Sequence, residues 1–136
     1  MMMYNIIYTN FIDAKMSPHI HSRIHAKKYG GVPEDYLPVD ELIDSSKTHM
    51  ADIRHRSILH SSFGILIAEK VFGATITNSE GKKICVRELV IDHILQDLGF
   101  IPTVEQYLNN LTLQPWMSGT EKTRKTTNRK HINLED

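Results

Sequence analysis

A single cysteine, Cys85, is the only thiol in this sequence. No disulfide can form within the chain, a cysteine-based zinc site is disfavoured, and a reducing cytoplasmic setting is expected. Cys85 lies between Ile84 and Val86 and reads as a small buried hydrophobe. Net charge is lacking too, with Lys+Arg 16 against Asp+Glu 16. Broad attraction to nucleic acid is therefore not expected, except through the basic run Lys122, Arg124, Lys125, Arg129 and Lys130. No apolar run reaches the roughly 18 residues of a membrane helix, so no membrane partner is expected. The opening residues lack the positive stretch and small-residue cleavage site of a secretory leader. Gly30-Gly31 is no phosphate loop, because no strand precedes it and no Gly-Lys-Ser/Thr follows. No internal repeat is visible.

Histidine, in contrast, is abundant, with 8 in 136 residues. The element pattern suggests where these residues sit. Ser17-Pro18 starts a helix that Gly30-Gly31 ends, and it carries His21 and His25 four residues apart. Residues 31–39 read as a loop, with Asp40 capping a short helix from Glu41 to about Lys47. A long helix, 50–72, is apolar around more than half its circumference and is expected to be central. Thr75-Ile76-Thr77, the turn Asn78-Ser79-Glu80-Gly81, and Lys83-Ile84-Cys85-Val86 form a hairpin over 74–86. A helix over about 86–98 stops at Gly99, and Thr103 with Gln106 makes a capping box for another. Trp116 is expected to pack back on the body. The fold class is therefore mainly α, a compact helical bundle with one small β-hairpin. Residues 1–16 read as a loosely attached extension, 17–117 as one domain and 118–136 as a disordered tail.

Asp52 and His55 are three apart on the long helix, and His93 and Asp97 are four apart on the next. With His21 they place nitrogen and oxygen donors on three helices. If those helices converge, His21, Asp52, His55, His93 and Asp97 are the expected ligands of a divalent transition metal: zinc, manganese, iron or nickel. A structural network of hydrogen-bonded histidines is the alternative. On a straight helix His60 lies about 140° from His55. It is expected to act as a general acid or base instead, with Arg56 or Lys28 available to hold a phosphate.

The phrases HxxxHAKKYGG, EDYLPVDELIDSSK, DIRHRSILH, FGATITNSEGK, HILQDLGFIP and QPWM occur in that order. Together they resemble a family of small, functionally uncharacterised bacteriophage and prophage proteins over residues 18–117. The resemblance marks His21, His55, Arg56, His60 and His93 as pattern residues. It puts Ser61 where that family tends to carry a further histidine. The resemblance supplies little mechanism. The density of interior-facing His and Asp on separate helices gives the expectation of a metal-dependent hydrolase of a phosphate ester or nucleotide, and the resemblance sets it in a phage-infected cell. A non-catalytic counter-defence protein that sequesters a nucleotide signal or host protein is the alternative. A virion or assembly component is a third reading, and homo-oligomerisation fits any of the three.

Overall fold

The computed structural model describes residues 17–119. The expected N-terminal extension, and the expected tail from residue 120 onward, lie outside the described residues. Within them the chain forms 6 helices and one two-stranded antiparallel sheet, matching the mainly helical expectation.

Helix α1 spans Pro18–Tyr29, with Ser17 extended before it and Gly30 at φ 89 after it, where the Gly30 N–H donates to the Ala26 carbonyl. The next helix departs from expectation. After a 3₁₀ turn at Pro33–Asp35, helix α2 already begins at Leu37 and runs to Ile43. Two residues explain the early start. Tyr36 is fully buried, and its hydroxyl donates to the Gly30 carbonyl at 2.6 Å. Pro38 sits in the first turn, where its missing N–H costs nothing. Asp40 is consequently no cap. It lies inside α2, four residues before Asp44, on the same face.

The expected long helix, 50–72, is broken. A 3₁₀ turn at Ile53–His55 leads into α3, Arg56–Leu59, and then α4, Ser62–Phe72. Between them His60 turns to ψ 60 and Ser61 is extended, with the Ser61 hydroxyl accepting from the Phe63 N–H. Ser62 N–H donates to the Pro102 carbonyl at 3.0 Å, which ties the bend to a distant segment. Gly64 makes the bend possible, because a Cβ there would run into the Leu59 carbonyl. The break also corrects the expected central role. Only Gly64, Ile65 and Ala68 of α4 are buried, while Phe63, Leu66 and Val71 face outward.

Strands β1, Thr75–Thr77, and β2, Lys83–Cys85, pair with Ile76 opposite Ile84. Strand alternation turns Ile84 inward and leaves Cys85 exposed, contrary to expectation. Asn78 closes the turn by accepting from the Glu80 and Lys82 N–H groups, and it donates to the Tyr36 hydroxyl. Helix α5, Val86–Leu98, ends at Gly99 in the left-handed region. Helix α6, Val104–Leu108, carries the expected Thr103/Gln106 box.

The core joins Tyr36, at the start of α2, and Val39 and Ile43 within it to Ile65 and Ala68 of α4 and to Val86, Leu89, Val90 and Ile94 of α5. Helix α5 is thus the element against which the others assemble, and each buried Leu or Ile contributes about 1.5–3 kcal/mol. Trp116 takes no part. It is 62% exposed in a short turn at Pro115–Ser118, with the neighbouring Leu111 and Leu113 also exposed.

Candidate metal centre

Four elements deliver imidazoles and carboxylates to one point. His21 comes from α1, Asp44 from the end of α2, His55 and His60 from either side of α3, and His93 and Asp97 from α5. Asp44, His60, His93 and Asp97 each offer a ligand atom within 4.8 Å of the others, and all four are buried, so this group could bind a metal ion. His60 Nε2 lies 2.8 Å from Asp97 Oδ2 and 3.4 Å from Asp44 Oδ1. His93 Nε2 lies 3.4 Å from the same two oxygens. His21 and His55 flank the group. His21 Nε2 is 3.3 Å from Asp97 Oδ1, and His55 Nε2 is 3.7 Å from Asp44 Oδ1. The rings crowd together: His21 stacks on His93 with centroids 3.7 Å apart, and His60 sits edge-on to His93 at 5.1 Å.

Three of these rings are held by their outer nitrogen. His21 Nδ1 bonds Gln96 Oε1 at 2.6 Å, His55 Nδ1 bonds the Asp52 carbonyl at 2.7 Å, and His93 Nδ1 bonds Asp40 Oδ1 at 2.8 Å. Each partner atom can only accept, so each Nδ1 carries the proton. In the neutral ring the inner Nε2 is then a bare lone pair aimed at a carboxylate, which is also an acceptor. Lone pair against lone pair is unfavourable unless a cation or an extra proton lies between them. The satisfaction pattern agrees. The buried side-chain atoms without a hydrogen-bond partner among the described residues are His21 Nε2, His25 Nε2, both oxygens of Asp44, Arg56 Nε, His60 Nδ1 and His93 Nε2. Every one lies in this cluster or borders it. A structural polar network would satisfy such atoms, because each orphan costs about 1–3 kcal/mol in a domain whose whole stability is about 5–15 kcal/mol.

The electrostatics follow from burial and crowding. Burial works to raise the carboxyl of Asp97, but the imidazoles of His21, His60 and His93 outweigh it and hold the group far below the usual carboxylate range. Asp44 is likewise held low, by His55 and His93 against burial. Burial pushes His60 down to about 4, with Asp97 only partly opposing it. His93 moves the other way. Burial opposes its charged form, yet contacts with Asp40, Asp44 and Asp97 raise it well above the ordinary value. At neutral pH, then, both carboxylates are ionised, His60 is neutral, and a proton on His93 supplies positive charge where a metal would.

The sequence-predicted residues divide cleanly. His21, His55, His93 and Asp97 converge as expected. His60, expected to lie apart as an acid or base, is brought in among the possible ligands because the helix breaks at that residue. Asp52 is corrected. It is an exposed cap of the 3₁₀ turn, bound to Arg54 at 2.7 Å, which lowers its carboxyl to about 2. Only its backbone carbonyl serves the centre, by orienting His55. Asp44 takes the place expected for Asp52. Arg56 is 7% exposed and reaches 3.8 Å from Asp97 Oδ1. Lys28 instead pairs with Asp92 at 2.9 Å on the surface, away from the centre. Ser61 serves as the α4 cap.

The family described as a domain of unknown function, DUF6915, matches residues 16–117, most of the chain. The chain belongs to that family. The matched span includes all six helices and both strands, and with them all six residues of the buried His/Asp cluster. No curated protein and no solved structure matches the chain. No helix among the described residues is long and apolar enough to cross a membrane.

Proposed function

We propose that the chain binds one divalent transition metal and uses it to hydrolyse a phosphate ester, a nucleotide being the leading substrate class. The observation that carries this reading is the orientation of the rings: His21, His55 and His93 are bonded outward through Nδ1 and present Nε2 to Asp97 and Asp44, and neither Asp44 oxygen has a hydrogen-bond partner among the described residues. Nitrogen and oxygen donors suit zinc, manganese, iron or nickel more than calcium. Charge favours a single ion. With Arg56 beside Asp97 and Lys47 beside Asp44, one divalent cation already offsets Asp40, Asp44 and Asp97, whereas a second would leave buried positive charge uncompensated. Bound there, such an ion supplies Lewis acidity and lowers the pKa of its water.

The residues around it have matching chemistry. His60 is neutral at physiological pH, and its unpaired Nδ1 is free to accept a hydrogen bond from water or substrate. Arg56 has an unpaired buried Nε–H beside Asp97, so it is fit to hold a phosphoryl oxygen. A groove of about 420 Å³ lined by Met50, Ile53, Arg54, Ser57, Tyr107 and Leu108 offers an apolar wall for a leaving group. Tyr107 connects that wall to the centre, since its hydroxyl donates to the His60 carbonyl at 2.8 Å. The test is turnover of p-nitrophenyl phosphate and a panel of nucleoside phosphates by metal-loaded protein. Metal-dependent release of phosphate, lost in H60N and R56Q, supports hydrolysis, and loaded protein that turns over none of them refutes it.

A second reading has its own observation. Each of the possible ligands is at least nine-tenths buried. Such enclosure also suits a metal held for stability in a binding protein, for which nucleotides would be retained unchanged.

A further inference from the structure

We infer that Asp40, which no reading of the sequence placed at the site, is the residue that positions the metal centre, acting through His93. This rests on the metal reading above. Asp40 is fully buried within α2, both its oxygens are engaged by hydrogen bonds, and it lies outside the group that could hold an ion, so it stands behind the ligands rather than among them. Its two oxygens are divided between two tasks. Oδ1 accepts from His93 Nδ1 at 2.8 Å. Oδ2 accepts from the Ser22 hydroxyl at 2.8 Å and from His25 Nδ1 at 2.9 Å. One carboxylate thereby ties α1, α2 and α5 together immediately behind the centre.

The division fixes both histidines. A carboxylate only accepts, so His93 must carry its proton on Nδ1 and present Nε2 inward. Ser22 and His25, both on α1, hold the opposite oxygen and prevent the carboxylate from rotating away from His93. His25 thus belongs to the cradle and is no ligand, although it lies only four residues from His21. Its ring is enclosed by Tyr29 and Tyr36, with centroids 6.2 Å and 5.7 Å away.

Charge sets Asp40 apart from the other orienting groups. His21 leans on the neutral Gln96 amide and His55 on the neutral Asp52 carbonyl, whereas His93 leans on an anion. A carboxylate behind a ligating imidazole orients the ring and makes its free nitrogen a stronger donor, commonly worth 10–100-fold in metal affinity. His93 is therefore the ligand expected to hold the ion most tightly.

Asp40→Asn tests the role. An asparagine has one acceptor oxygen, so it can serve His93 or the Ser22/His25 pair, not both. Zinc affinity, read by competition with a chromophoric chelator, is expected to fall 10–100-fold at unchanged stoichiometry. In zinc-saturated protein the downfield Nδ1–H signal of His93, bonded to a carboxylate in the wild type, is expected to move upfield. Gln96→Ala, which removes a neutral orienting group, is expected to cost less. Should Asp40→Asn fail to fold, Ser22→Ala keeps His93 bonded while removing one of the two bonds that hold the opposite oxygen, and a fall of about threefold or more is expected. Wild-type affinity in the Asp40 and Ser22 variants, or equal losses in D40N and Q96A, overturns the positioning role alone. A wild-type protein that takes up no metal overturns the metal reading beneath it.

Discussion

The two sides of the buried cluster are built differently. His93 and Asp97 sit on α5, a regular helix at the middle of the core, and the His93 ring is tied to an anion. His55 and His60 sit on an interrupted stretch where the chain changes direction. There His55 leans on a backbone carbonyl, and His60 Nδ1 has no partner at all. One side is a continuous helix and its histidine is drawn toward the charged form. The other depends on a bend, and its histidine is held neutral by burial. Under the proposed function, ligand positioning falls to the first side and contact with water or substrate to the second.

The strongest way to break this contrast is to remove the anchor. Asp97→Ala takes away the carboxylate that faces His21, His60, His93 and Arg56. Metal affinity should fall at least 100-fold, and metal-free protein should lose about 3–5 kcal/mol, as expected when a buried charge such as Arg56 loses its partner. Isothermal titration and urea unfolding read the two effects. Asp97→Asn should retain more stability than Asp97→Ala while still losing metal.

pH sharpens the contrast in metal-free protein, because the two histidines pull in opposite directions. His60 is depressed to about 4, so its contribution is complete above about pH 6.5 and is lost as pH falls toward 4; at about 1.4 kcal/mol per unit it is worth up to roughly 3 kcal/mol. His93 is raised, so its contribution is complete below about 6.5 and fades as pH climbs through its elevated value. Unfolding free energy measured between pH 4 and 9 should lose its acid-side slope in H60N and its alkaline-side slope in H93N. Identical profiles for the two variants would remove the distinction.

The bend gives the next effect. Gly64→Ala forces a methyl group against the Leu59 carbonyl and should cost about 1–3 kcal/mol. The disturbance should appear in the NMR signals of His55 and His60 and leave those of His93 nearly unmoved. The smallest effect belongs to Asp52. Asp52→Ala removes the side-chain cap of the 3₁₀ turn and should cost about 1 kcal/mol or less, with metal affinity unchanged within error. A tenfold loss of metal there would return Asp52 to the centre.

The pattern of success in the sequence follows from what kind of interaction sets each feature. Local chemistry marks α1, the hairpin, α5 and α6: a proline at the start, a glycine at the end, a capping box. The α3–α4 bend is not local, since it needs Gly64 to admit the Leu59 carbonyl and Pro102 to receive Ser62 N–H. Treating that stretch as one straight helix put His60 on the wrong face and Asp52 on the right one. Asp44 escaped notice for a related reason. Its facing depends on where α2 begins, and taking residues 31–39 as loop left Asp40 as a cap and Asp44 inside a short helix with no role assigned. Pro38 was the available signal. Proline favours the first turn of a helix, and a start near Leu37 places two aspartates four apart on one face, toward the histidines.

The most direct test is metal stoichiometry and ligation on untagged protein, read together by X-ray absorption at the edge of the bound metal. The expected result is one ion per chain, with imidazole nitrogen and carboxylate oxygen scatterers and no sulfur. No bound metal after exposure to zinc, manganese, iron and nickel, with no shift in unfolding temperature, would contradict it and leave the cluster as a structural network.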